Sequence, residues 1–164
     1  MSIRRLTIQG VRNLAEARFD PGPGVNVLAG DNGAGKSSVL EAIHLLALAR
    51  SFKVSRTRTL IRQGVDDATV FAEFTNKTRV GVQRSRNGHH TIRINGESVT
   101  AVSELAQRLP LQLIHSDSFL LLEGSPGHRR QFLDWGVFHQ EDAFHSQWQN
   151  AQKSLKNRNS LLRS

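Results

Sequence analysis

The chain of 164 residues contains no cysteine. That excludes disulfide frameworks, thiolate zinc sites and a cysteine nucleophile, and it favours a reducing setting, a cytoplasm. Long apolar runs are missing as well. The longest is Leu45-Leu46-Ala47-Leu48-Ala49, far short of the ~18 residues that a membrane span requires, so no membrane association is expected. Arg4, Arg5 and Arg12 break up the start of the chain, and no apolar stretch follows them as in a signal peptide. Histidine is present at positions 44, 89, 90, 115, 128, 139 and 145, but no two of these have H-x-x-x-H spacing. Structural or surface roles are therefore expected for them rather than metal binding.

Acidic residues run out early. None follows Asp142, whereas Lys153, Lys156, Arg158 and Arg163 do. Over the whole chain 22 Lys and Arg face 14 Asp and Glu, a formal net charge of +8. Such an excess favours a polyanionic partner, either nucleic acid or the phosphates of a nucleotide. With 38% hydrophobic residues and 13 glycines, the chain has the composition of a globular protein able to bury a core.

Local patterning predicts an α/β chain. Ile3, Leu6 and Ile8, then Ala15 to Phe19, are spaced for strands on either side of a short turn. Pro21-Gly22-Pro23-Gly24 breaks the chain, and Val25-Asn26-Val27-Leu28-Ala29 is expected to form a short apolar strand. Val39, Leu40, Ile43, Leu46 and Leu48 carry a helical register to about Arg50. From Thr69 to Ile94, strand-like segments are punctuated by Asn76-Lys77 and Asn87-Gly88, which predicts an antiparallel meander. Leu111 to Ile114 is expected to be one more buried strand. Ser125-Pro126 provides an N-cap residue and a proline at the first helical position. Phe144, Trp148, Ala151, Leu155 and Leu162 fall at steps of four, three, four and seven. This is an a/d seam, belonging either to the start of a helical hairpin or coiled-coil arm or to one amphipathic helix on the core. The final residues, Asn159 to Ser164, carry no capping signal and resemble a helix cut short.

The chemistry is concentrated in Gly30-Asp31-Asn32-Gly33-Ala34-Gly35-Lys36-Ser37, which fits the phosphate-loop pattern G-x-x-x-x-G-K-[ST]. Glycines let successive backbone N–H groups curl around phosphate oxygens, and the helix that follows turns its positive dipole end to the same anion. Lys36 would reach the β- and γ-phosphates and the Ser37 hydroxyl would ligate Mg²⁺. These residue types define a nucleoside triphosphate site. Triphosphate chemistry also needs an acid at a second strand end. The nearest match, Phe119-Leu120-Leu121-Leu122-Glu123, runs straight into Gly124-Ser125-Pro126 and reads instead as a short helix. That acid is expected beyond residue 164. A second feature is the basic set Arg50, Lys53, Arg56, Arg58 and Arg62, within thirteen residues that contain no acid. It is either a solvated loop or a surface for DNA backbone phosphates without sequence preference. Phe52 is its only aromatic, so base stacking is not expected.

Taken together, Arg12-Asn13 after the first strand, the loop continuing as Ser38-Val39-Leu40-Glu41-Ala42-Ile43, Arg50-Ser51-Phe52-Lys53, and Gly124-Ser125-Pro126 with Arg129-Arg130 and Phe132-Leu133-Asp134 carry a family resemblance. The chain resembles the amino-terminal part of the RecF family, bacterial DNA replication and repair ATPases in the SMC-like branch of ABC-type ATPases. Val11 stands where that family usually has an aromatic, and Ser116-Asp117 where it has a proline–acid pair. The resemblance implies a P-loop ABC-type ATPase head with its antiparallel meander over 1–140, and the start of a helical arm over 141–164. It implies ATP with Mg²⁺ as cofactors. ATP-binding residues would be Gly30, Asp31, Asn32, Gly33, Ala34, Gly35, Lys36, Ser37 and Ser38, with Arg12 and Asn13 beside the nucleotide. It further implies an ATP-dependent homodimer that binds single-stranded and gapped or duplex DNA, RecO and RecR partners, and a slow DNA-stimulated ATPase. The signature motif and catalytic acid of such enzymes are not in this stretch, so the stretch alone is expected not to hydrolyse ATP. Three other readings stay open: another SMC-like repair ATPase, a small-molecule P-loop kinase, and a basic DNA-binding module with a vestigial loop.

Overall fold

A computed structural model describes residues 2–53 and 57–163. It divides into two compact units, Met1–Leu111 and Gln112–Ser164.

The first unit is built on a sheet of six strands in the order β2-β1-β3-β4-β5-β6. These are β1 (Ile3–Val11), β2 (Leu14–Phe19), β3 (Asp67–Phe74), β4 (Arg79–Ser85), β5 (His90–Ile94) and β6 (Glu97–Val99), and every neighbouring pair is antiparallel. The register follows the alternation in the sequence. Along β3, Ala68, Val70, Ala72 and Phe74 are buried while the residues between them are only partly covered, as a one-sided sheet requires. Val70 sits between Ile8 of β1 and Val82 of β4, and Ile92 of β5 continues the row. The sequence predicted the meander and its two turns. It did not predict β6, which pairs with β5 through Ile92–Val99, or the following helix α2 (Val102–Arg108).

The buried face is covered by α1 (Lys36–Leu48), which packs on β1, β3, β4 and α2. Val39, Ala42, Leu45 and Leu46 of α1 and Leu105 of α2 join Leu6, Ile8, Val70, Phe74, Val80, Val82, Ile92 and Ile94 in one core. Ala49 ends α1 in the left-handed conformation at φ 50°, with its N–H on the Leu45 carbonyl at 2.8 Å. That bond offsets the strain of a non-glycine residue there.

Two expected strands are absent. Residues 25–29 and 111–114 are irregular, with Val25 92%, Val27 84% and Ile114 83% exposed. Their apolar alternation suits burial, but a strand exists only by hydrogen bonding to a neighbour. No described strand pairs with either segment. Within the first of them, Asn26 closes the preceding Pro21–Gly24 turn, accepting from the Gly22 N–H and donating to the carbonyls of Gly22 and Gly24.

The second unit is helical: α3 (Leu120–Glu123), α4 (Pro126–Phe138) and α5 (Phe144–Leu161). Ser125 stands at the N-cap position of α4, as expected, but its hydroxyl caps no backbone amide. It faces the His128 ring at 3.3 Å instead, because His128 lies one turn along on the same side. Trp148 of α5 donates to Asp134 of α4 at 3.2 Å. Along the proposed seam Trp148 and Leu155 keep about two-fifths of their surface in solvent (41% and 43%). Burial beside Trp135 and Phe138 holds His139 below the usual histidine range.

Among the described residues Phe74 is the largest fully buried side chain. Phe74→Ala is expected to destabilise the first unit by about 3–5 kcal/mol, read as a lower midpoint in urea unfolding followed by far-ultraviolet circular dichroism.

Candidate functional site

Helix α1 begins at Lys36, directly after the glycine-rich loop. Gly35, at φ 100°, turns the chain into the helix, and a Cβ there would lie 2.7 Å from Leu14 Cδ2 and 3.3 Å from Asn13 Nδ2. Glycine is needed at this point both for the left-handed backbone and for the close approach of the β1–β2 turn. Asp31, Asn32, Gly33 and Ala34 are exposed, Ser37 is exposed at the start of the helix, and Ser38 is buried. Within the loop the Ala34 N–H bonds the Asp31 carbonyl at 3.2 Å, and the Val39 N–H bonds the Gly35 carbonyl at 3.0 Å. The Lys36 ammonium folds back over the loop, donating to the carbonyls of Gly30 at 2.6 Å and Asp31 at 2.8 Å. It therefore sits at the loop mouth, where an anion held by the first-turn amides would meet it.

The β1–β2 turn, Arg12-Asn13, supports this loop from behind. Asn13 donates through Nδ2 to the Gly33 carbonyl at 2.7 Å and accepts from Ser38 Oγ at 2.7 Å. Arg12 adopts φ 54°, a strained conformation for a non-glycine residue. It is held there by its N–H on the Leu60 carbonyl at 2.8 Å and by its side chain. The guanidinium grips Glu41 of α1 through Nε and Nη2, both at 2.8 Å, and reaches the Thr59 carbonyl through Nη1 at 2.5 Å. Of the two residues that the resemblance places beside the nucleotide, Asn13 thus touches the loop directly. Arg12 directs its guanidinium to the helix and to residue 59.

Glu41 is the buried acid of the first unit, its side chain 1% exposed. Burial alone would raise its carboxyl pKa, but the hydrogen bonds from Arg12 and Ser51 and the charges of Arg12 and Lys53 outweigh that and hold it below the usual carboxylate range. In turn, the hydrogen bond to Glu41 raises the Arg12 pKa. Ser51 Oγ donates to Glu41 Oε1 and accepts from the Lys53 N–H at 3.0 Å. Glu41 appeared in the sequence only as part of a run after the loop. A lone acid on the apolar side of an otherwise hydrophobic helix was the signal that it would be paired.

Of the basic set, Arg50, Lys53 and Arg58 are exposed, with the Lys53 ammonium 5.9 Å from the centre of the Phe52 ring. Arg62 donates to the Asn13 carbonyl at 2.6 Å and is partly buried. Its guanidinium is a structural tie. Arg56 lies outside the described residues. Among the described residues no three His, Asp or Glu side chains converge as a metal cluster. No helix among them is long and apolar enough to cross a membrane.

An antiparallel sheet carrying a buried helix, with a glycine-rich phosphate loop at the helix start, defines the amino-terminal lobe of a P-loop ATPase head of the ABC type. Comparison with known proteins agrees. The family model described as the RecF/RecN/SMC N terminal domain matches residues 2–122, and the chain belongs to that family. It is similar to the DNA replication and repair protein RecF of Marinomonas sp., 52% identical and covering 99% of this chain and 45% of that relative. The RecF of Stutzerimonas stutzeri is 53% identical over the same shares. The chain spans about half the length of the curated relatives it matches. Among solved structures, that of the recombination mediator protein RecF-ATPrS in the RecFOR pathway superposes with a TM-score of 0.80 and 26% identity, covering 99% of this chain and 45% of that one. An SMC ATPase studied for ATP-driven dimerisation and DNA-stimulated activation shares the fold with a TM-score of 0.69 at 21% identity, covering 82% of this chain and 99% of that one.

Because Glu41 is held below its unfolded value, near 4.5, the pair contributes stability that is present above about pH 4.5 and is lost as the pH falls through the folded-state value. Glu41→Gln is expected to flatten the acid limb of the stability–pH curve below that point. Thermal melts between pH 3 and pH 7 would show it.

Proposed function

We propose that this chain is the nucleotide-binding lobe of a RecF-type protein that acts in DNA replication and recombinational repair, with ATP as the switch that turns DNA binding on. The observation that carries the reading is the phosphate loop at the start of α1, backed by Asn13 through Gly33 and Ser38. Its family membership supports it, as do relatives named for DNA replication and repair and the similar structure of RecF-ATPrS.

The residues present fit the group. The backbone amides from Gly30 to Ser37 would hold the phosphates, Lys36 would leave the Gly30 and Asp31 carbonyls for the β- and γ-phosphate oxygens, and Ser38 with Asn13 would keep the loop open. Ser37 would give Mg²⁺ its protein hydroxyl, the remaining ligands coming from phosphate and water. Bound Mg²⁺-ATP supplies a γ-phosphate whose contacts can favour one assembled state. Arg50, Lys53 and Arg58, all exposed, would meet DNA backbone phosphates, and Arg56 belongs to the same stretch of sequence. ATP-dependent pairing of two such heads, a helical arm over residues 141–164, action at single-strand gaps with RecO and RecR, and work in the cytoplasm complete the reading. Hydrolysis would draw its acid and signature motif from sequence outside this stretch. The antiparallel sheet favours this reading over a small-molecule kinase, whose sheet alternates strand and helix.

The test is ATP and DNA binding by the intact gene product. Lys36→Ala is expected to weaken ATP binding about tenfold to hundredfold, the loss of a charge-assisted contact, and to abolish the ATP-dependent part of binding to a gapped duplex, both read by fluorescence anisotropy. DNA binding that ignores both ATP and the substitution would overturn the reading in favour of a basic module with an unused loop.

A further inference from the structure

The two flanks of the basic stretch are both tied to one ion pair. On the amino-terminal flank, Ser51 donates to Glu41 and accepts from the Lys53 backbone. The Lys53 charge also acts on Glu41, and the Arg50 carbonyl lies 2.7 Å from His44 Nδ1 on α1. On the carboxy-terminal flank, the Thr59 and Leu60 carbonyls both accept from Arg12. The Arg62 N–H bonds the Gly10 carbonyl at 2.8 Å, its guanidinium bonds the Asn13 carbonyl, and Val11 forms a bridge with Ile61.

The same Arg12-Asn13 turn contacts the phosphate loop. Asn13 holds the Gly33 carbonyl, and a triphosphate that draws on the loop amides acts on the peptides flanking that carbonyl. Glu41, the partner of Arg12, rides on the helix that starts at Lys36. A change at the loop therefore has two short routes to the basic residues, one through Asn13 to Arg62 and one through α1 and Glu41 to Ser51 and Lys53. The first passes from the Asn13 side-chain amide, bonded to Gly33 and Ser38, through the residue to its backbone carbonyl, which accepts from Arg62. The second passes through an acid shared between two donors, and such shared groups transmit polarisation and position.

We infer that the Arg12-Asn13 turn with Glu41 and Ser51 is the element that couples the phosphate loop to the basic stretch, so that Arg12, Glu41 and Ser51 are positioning residues for DNA contact. The inference rests on the ATP-switched DNA binding proposed above and names the residues through which the switch acts. Ser51 is the cleanest point of attack. Its hydroxyl donates to Glu41 and accepts from the Lys53 amide, and it is no part of the glycine-rich loop sequence.

The experiment compares the intact gene product with its Ser51→Ala and Ser51→Thr variants, measuring affinity for ATP and affinity for a gapped duplex with and without ATP. Ser51→Ala is expected to bind ATP as the wild type does while its ATP-dependent gain in DNA affinity falls about fivefold or more. Ser51→Thr, which keeps the hydroxyl, should restore the gain. An undiminished gain in Ser51→Ala would overturn the coupling while leaving the proposed function intact. A wild type whose DNA affinity ignores ATP would instead overturn the proposed function itself. A second readout needs no variant. Hydrogen exchange of the wild-type protein should show the Arg12 and Arg62 amides, bonded to Leu60 and Gly10, changing protection when ATP binds. Unchanged exchange at both, with ATP bound, would overturn the coupling.

Discussion

The bidentate pair between Arg12 and Glu41 is the contact on which the site depends. It joins the turn between the first two strands to the helix that begins at the phosphate loop, and Ser51 and Thr59 of the basic stretch both bond to it. A carboxylate this deeply buried (side chain 1% exposed) would be costly alone, since removing one partner of such a pair leaves an uncompensated charge worth about 3–5 kcal/mol. Arg12 answers with planar fork geometry that a lysine could not match. The strain at Arg12, at φ 54°, is then offset by the backbone bond to Leu60 and by three side-chain bonds.

The sheet gives this pair a rigid base. One face of β1, β3, β4 and β5 is sealed by α1 and α2, and the register that places Ile8 beside Val70 and Val70 beside Val82 also fixes where the β1–β2 turn emerges. The loop is held by the first turn of α1, by Asn13 and by the bonds of Lys36 and Ala34 to its own carbonyls. On the proposed function, this arrangement suits a site that would change its contacts with a γ-phosphate.

Much of the fold was legible in residue order. Alternation identified β1, β2 and the β3–β5 meander because each has one buried face, and the Asn-Gly turn fixed a hairpin. The apolar segments at 25–29 and 111–114 misled for a physical reason: periodicity reports capacity for burial, whereas a strand also requires a partner. Strand β6 and α2 were missed because Glu97-Ser98-Val99 and Val102–Arg108 are too short and too polar to show a clear period. At the candidate site the loop was evident from spacing. The tie between Arg62 and the Asn13 carbonyl was not, because a basic residue in a basic run looks solvated until its neighbour across the fold is known.

The sequence by itself determined the chemistry that depends on spacing along the chain: the phosphate loop, the helix after it, the meander, the excess of positive charge and the family. These are local or compositional properties, fixed by backbone conformational preference and side-chain type. Only the tertiary structure decided which distant residues meet. Arg12 grips Glu41 instead of standing free, Asn13 reaches Gly33 and Ser38, and Ser51 and Thr59 converge on one ion pair. Those contacts join positions tens of residues apart in the chain, and no period or motif encodes them, since they exist only once the sheet has brought its turn against the start of α1.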